Sequence, residues 1–388
     1  MRSLCHSGHA AVEGRVAPLF ANEQDKAGLA YMTHRLQADC LPVLIGSLPL
    51  REHQEATDMV LGYTPEIPLW AQLPAYRDEG MMAQFLPGMP GYRRYGDNDY
   101  VDTGDEDFEQ ELLAFYEEYM AVTEGGQALG ETRFKLEPDR SEGFFALTRA
   151  LQGNGASLSG IKGQITGPIT FATGVKDQSK KAIFFEDQLR DAAIKLLALK
   201  AGWQVEQLNQ FNAPVILFLD EPALAGFGSS EFISISKQDV LSSFTEITDQ
   251  VHARGGLTGV HVCANADWSL VLDSDADILS FDAYSYFDKL LLYSDELRRF
   301  LDGGKILAWG MVPTMEPENI DGENVDSLAS KFWSQFEALR KQTGLEKSQL
   351  MGQSLITPSC GTGSLDRERA ERVLQLTRGL ADRIREDL

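Results

Sequence analysis

PVILFLDEP (residues 214–222) and LTGVHVCAN (257–265) decide how this chain reads. Each is a short apolar run with β-branched residues that ends in polar side chains, the pattern of a strand buried on both faces. The same pattern recurs in PVLIGSLP (42–49), PLWAQLP (68–74), GIKGQITGP (160–168), ADILSFDAY (276–284), KILAWGMVP (305–313) and SLITPSCG (354–361). Between many of these runs the apolar residues take up helical spacing, over 184–211, 240–256 and 325–343. An amphipathic helix is expected over 365–388. Strands alternating with helices predict a parallel sheet, and eight such strands predict an α/β chain closed into a (β/α)8 TIM barrel. An open doubly wound sheet would need a glycine-rich phosphate loop after an early strand, and no convincing one is present.

Two segments interrupt the alternation. Residues 1–41 read as an N-terminal extension. Residues 75–150 form a long insertion after strand 2, rich in Gly, Pro, Tyr and Asp in its first half and helical over EDFEQELLAFYEEYMAV (106–122). An insertion of that kind at a barrel mouth is expected to act as a lid or an interface, with residues 1–388 making one catalytic domain.

In a parallel barrel the chemistry lies at the C-terminal ends of the strands. There the runs place Gly46-Ser47, Asp220-Glu221-Pro222, His261-Val262-Cys263, Asp282 and Cys360-Gly361. His261 and Cys263 stand two apart on one strand, so both face the lumen. Imidazole and thiolate are a common zinc pair, and Cys360 arriving at the same rim completes a Cys2His set with a fourth position open. Asp282 is the expected displaceable fourth ligand, with a rim hydrogen-bond acceptor as its bland alternative. A lone buried His or Cys is more often packing, so the expectation rests on their joint occurrence. The cluster Cys5, His6 and His9 lies near the N-terminus and is a weaker metal candidate.

The 388 residues carry 35 Lys and Arg against 58 Asp and Glu, a net charge of −23. That balance argues against nucleic acid and against an anionic membrane surface. No run of 18 apolar residues occurs and no signal peptide is evident, so no membrane partner is expected. Four cysteines do not make a disulfide framework, and the cytoplasm is the expected compartment.

These motifs together resemble the cobalamin-independent methionine synthase and uroporphyrinogen decarboxylase-like superfamily. The likeness is to the catalytic C-terminal barrel of the methionine synthases. It runs from about Pro42 onward, through IGSLP (45–49), GQITGPIT (163–170), LDEPAL (219–224), HVC, DADILSFD (275–282) and PSCG (358–361). The resemblance implies a zinc thiol methyltransferase in which His261, Cys263 and Cys360 hold zinc and Asp282 stands at the family's zinc glutamate. It implies that Asp220 takes the ammonium and Ser47 the carboxylate of homocysteine or a related thiol.

Three departures separate the chain from the methionine synthases. It has no room for their additional folate-binding barrel. PEIPLWAQLP (65–74) replaces the region of a second homocysteine-holding glutamate, and KILAWGMVPT (305–314) replaces the loop with the catalytic histidine. PLWAQLP is closer to the methylcobamide:thiol methyltransferases, so the expected donor is a methyl-corrinoid or another non-folate carrier, presented by a partner protein. Glu221 is placed to act as a general acid or base, or else to bridge to a helix. Trp70 and Trp309 could wall a pocket for a flat donor, or belong to the core. A lyase of the uroporphyrinogen decarboxylase type, a non-catalytic zinc- or corrinoid-binding relative, and a thiol transferase acting on an epoxide are the alternative readings.

Overall fold

The computed structural model describes residues 36–152, 157–229 and 232–387. Cys5, His6, His9 and the part of the N-terminal extension before Leu36 lie outside them. Along the chain, β1 (Leu41–Pro42) is followed by the antiparallel hairpin β2 (Tyr92–Tyr95) and β3 (Asn98–Val101). Then come β4 (Ile161–Thr166), β5 (Val215–Asp220), β6 (Gly256–Val262), β7 (Ile278–Phe281), β8 (Ile306–Val312) and β9 (Ser354–Pro358). Apart from the hairpin these strands form one parallel sheet in the order β1-β9-β8-β7-β6-β5-β4. Leu41, Val43, Ile67, Ile216, Phe218, Ile278, Ile306, Ala308 and Leu355 pack together on one side of it, so the sheet is curled around them.

The run 68–74 departs from its predicted form. It makes only isolated parallel bridges, Ser47 with Gln72 and Leu69 with Lys162. Pro68 and Pro74 bracket it, and a proline has no N–H to give a ladder. The segment nonetheless touches β4 and the stretch that follows β1, through Lys162 N to Pro68 O at 2.9 Å and Leu48 N to Gln72 O at 3.0 Å. The first run also shortens, to Leu41–Pro42, although Val43 N still donates to Ile356 O at 2.9 Å.

Helices cover the convex side. They include α1 (His53–Tyr63), α2 (Phe108–Thr123), α3 (Glu142–Gln152), α4 (Pro168–Gly174), α5 (Asp187–Leu208), α6 (Lys237–His252), α7 (Ala283–Leu290), α8 (Val325–Thr343) and α9 (Arg367–Arg385). Some of their ends follow capping chemistry. Ser236 and Asp239 form a capping box at α6, Asn324 accepts from the Asp326 and Ser327 amides at α8, and Gly344 closes α8 with φ of 71°. Helix α5 is buried almost all round, with Leu197, Ala198, Lys200, Ala201 and Gln204 all inside. The insertion explains this. Arg133 and Lys135 offer carbonyls to the buried Lys200 ammonium at 3.4 and 3.1 Å, and Tyr116 on α2 bonds Asp191 at 2.7 Å. Phe144 on α3 meets Trp70 edge-on and Trp203 at a tilt. Much of segment 75–150 therefore serves as an extra outer layer over α5.

Candidate metal centre

One register row sets the site. Thr166, Asp220, His261, Ser280, Ala308 and Leu355 are successive Cα partners across β4 to β9. Ala308 and Leu355 belong to the concave cluster, so alternation puts the whole row on the concave face. Below it Phe218 fills the interior. It can do so because Gly259 faces it on β6, where a Cβ would meet the ring at 2.4 Å. Cys263 stands two residues beyond His261, and Cys360 follows β9 on the same rim. The ligand atoms of His261, Cys263 and Cys360 all lie within 4.8 Å of one another. A tetrahedral ion about 2.0–2.3 Å from each would want them roughly 3.5–4 Å apart, so a small contraction suffices.

The donor set fits a metal. His261 is buried, its Nδ1 lies 2.9 Å from Ser280 Oγ, and its Nε2 is buried with no hydrogen-bond partner. An orphaned polar atom inside a protein costs about 1–3 kcal/mol, which coordination would recover. The Cys360 thiol beside it, and then the His261 ring, hold the Cys263 thiol down at about 4, while Cys360 is pushed up by Cys263 and by burial. The closeness of the two sulfurs thus favours the thiolate, the form that binds metal, on one of them.

The other expected residues divide. Asp220 lies in the row beside His261, with Oδ1 buried and unpartnered, and burial raises its carboxyl pKa. Ser47 is held at the same rim by the loop after β9. Its Oγ accepts from Gly363 N at 3.2 Å and its carbonyl from Thr362 N at 3.0 Å.

Asp282 does not join the three ligands. Its Oδ1 accepts from Ser285 N at 2.9 Å as the cap of α7, which commits that oxygen to the helix terminus. Glu221 is fully buried and accepts from Ile169 N, Thr170 N and Thr170 Oγ1 at 2.8, 2.9 and 2.6 Å. It clamps the start of α4, and only glycine at 167 leaves it room, since a Cβ there would lie 2.2 Å from Glu221 Cγ. Burial, partly offset by these bonds, raises its pKa to about 7.

Trp70 and Trp309 are core. Trp70 is fully buried and donates to Gln204 Oε1 at 3.0 Å. Trp309 donates to Ser354 Oγ at 3.1 Å within a cluster of Phe281, Phe287, Phe332 and Phe336. Both rings sit between sheet and helices: Trp309 alternates with the inward Ala308, and Trp70 turns to Gln204 on α5 and Phe144 on α3. They are not at the rim.

Two residues of the concave face escaped the sequence reading. Ser280 holds His261. Lys162, fully buried, donates to Ile45 O at 2.5 Å and Gln164 Oε1 at 3.3 Å, and its Nζ lies 4.4 Å from the centre of the Phe218 ring. The period-two polar pattern Lys162, Gln164, Thr166 was the available signal.

No protein-family model matches the chain, and no curated protein does. Among solved structures it is similar to a methyltransferase from Methanosarcina mazei, at 14% identity with a TM-score of 0.46, covering 87% of this chain and 93% of that one. It is also similar to the tandem GH20 catalytic modules of the pneumococcal exo-beta-D-N-acetylglucosaminidase StrH, at 8% identity and TM-score 0.40, covering 91% and 86%. Likenesses this distant say nothing about chemistry. Among the described residues no helix is long and apolar enough to cross a membrane.

Proposed function

We propose that this chain is a zinc-dependent methyltransferase that methylates a thiol, built on an eight-stave barrel in which residues 68–74 are the eighth stave. The observation that carries the reading is the buried, unpartnered His261 Nε2 grouped with two cysteine sulfurs on one concave face. Bound there, zinc would supply the Lewis acidity that keeps a thiol as nucleophilic thiolate at neutral pH.

His261, Cys263 and Cys360 would hold the ion, and the substrate sulfur would approach it beside them. Asp220, with a free buried oxygen beside His261, takes the ammonium of an amino thiol such as homocysteine. The Ser47 hydroxyl, tied to the Cys360 loop, takes its carboxylate. The sulfur lone pair forms the new S–CH3 bond while the bond between methyl and carrier breaks, its electron pair staying on the carrier. The thiol proton leaves to solvent. PLWAQLP (68–74), closer to the methylcobamide:thiol methyltransferases than to the methionine synthases, favours a methyl-corrinoid or similar carrier as donor. Glu221 and Asp282, committed to the starts of α4 and α7, position the rim rather than exchange protons.

Metal analysis of purified protein is the first test, with about one zinc per chain expected and at least about 100-fold weaker binding in Cys263→Ser and Cys360→Ser. Thiol-dependent demethylation of methylcobalamin across a panel of thiols is the second. Absence of stoichiometric zinc, or full retention of it in both variants, overturns the metal assignment. A zinc-loaded protein inert toward every thiol overturns the transfer reaction.

A further inference from the structure

We infer that Ser280 is the positioning residue of the metal centre: its hydroxyl accepts the Nδ1 proton of His261 and so dedicates Nε2 to the metal. The inference rests on the metal reading above and adds to it the residue that sets the histidine's tautomer.

Ser280 is the polar interruption in the buried strand Ile-Leu-Ser-Phe, with no exposed surface. It is the Cα partner of His261, and alternation puts both side chains on the concave face. Its Oγ lies 2.9 Å from Nδ1. The two tautomers are not equivalent in this setting. With the proton on Nε2, the N–H would spend itself on the Cys263 sulfur beside it, and the lone pair would face Ser280 in place of an ion. With the proton on Nδ1, the serine oxygen accepts it, and the Nε2 lone pair is left where Cys263 and Cys360 converge. Only the second arrangement satisfies Nδ1 through Ser280 and presents a free lone pair beside the two sulfurs.

The choice of a hydroxyl has a further effect. Outer partners of metal-bound histidines are often carboxylates, which add negative charge through the ring. A neutral hydroxyl fixes the orientation without doing so. With two cysteines already in the set, that restraint keeps the centre from becoming more anionic.

The test reads tautomer and affinity separately. Long-range 1H–15N correlation spectra of the metal-free protein, with His261→Asn to assign one signal among the six histidines, should show His261 protonated on Nδ1. Ser280→Ala should bind zinc about 10- to 100-fold more weakly than the parent. Ser280→Thr, which keeps the hydroxyl, should recover most of that loss, and cobalt-substituted Ser280→Ala should show an altered visible spectrum. A parent His261 protonated on Nε2 overturns the inference. So does zinc binding by Ser280→Ala within twofold of the parent, or a threonine variant as weak as the alanine one. If the parent itself binds no zinc, the metal reading fails, and the tautomer measurement still decides what Ser280 does.

Discussion

Two lysines are buried in this fold without a carboxylate within ion-pair distance among the described residues, and replacing one of them should change how stability depends on pH. Lys162 and Lys200 are at most 1% exposed, and burial pushes both ammonium groups down to about 8. An unfolded lysine titrates near 10.4. Between those values the unfolded chain holds more protons than the folded one, so stability rises with pH through that window. The burden is full below pH 8 and relieved toward pH 10.4. For one lysine, the linkage relation gives a rise of about 2 kcal/mol between pH 7.5 and 9.5.

Lys162→Met keeps the chain length and the apolar contact with Phe218 while removing the charge. Urea unfolding followed by circular dichroism at pH 7.5 and 9.5, on parent and variant, isolates this group, because thiols with raised pKa, such as Cys40 at about 12, act in the opposite direction in both. The variant should gain about 2 kcal/mol less than the parent over that interval. An identical pH response in the two proteins would refute the burial argument, as would a variant whose stability rises more steeply.

Two further substitutions separate core from site. Trp309→Ala should cost about 3–5 kcal/mol in unfolding free energy, because the ring packs among four phenylalanines, and zinc affinity of the folded protein should stay within a few-fold. Asp282→Ala should cost about 0.5–2 kcal/mol as a lost helix cap, again by urea unfolding, with zinc stoichiometry unchanged; a loss of zinc would make Asp282 a ligand after all.

The strand-and-helix order was legible because most buried strands are contiguous apolar runs and the helices between them repeat apolar residues at helical spacing. The 325–343 helix matches to the residue, and 184–211 contracts to Asp187–Leu208 between two tight turns. The metal group was legible because His261-x-Cys263 fixes a shared face from spacing alone and Cys360 ends a recognisable strand. What sequence could not show is which oxygens are already spent. Glu221 and Asp282 look like free carboxylates beside a site until the starts of α4 and α7 are seen to use them. Trp309 stands in a strand whose parity sends it outward, and Trp70 lies in an irregular run where it turns to α3 and α5. A 75–150 insertion says nothing in sequence about the flank it will cover, since its contacts to α5 lie tens of residues away.

The position of β9 would tie any ion held by His261, Cys263 and Cys360 to assembly. This strand lies between β8 and β1, and the loop that follows it carries Cys360 and pins Ser47. His261 and Cys263 are in place once β5, β6 and β7 pair, but the third sulfur arrives only when β9 has slotted in. Whatever these three side chains hold therefore acts as a latch on the last strand. An ion at 100 times its dissociation constant would strengthen that closure by about 2.7 kcal/mol. Chelation should first loosen the seam around β9, seen as faster amide exchange in β1 and β9 than in β5 and β6.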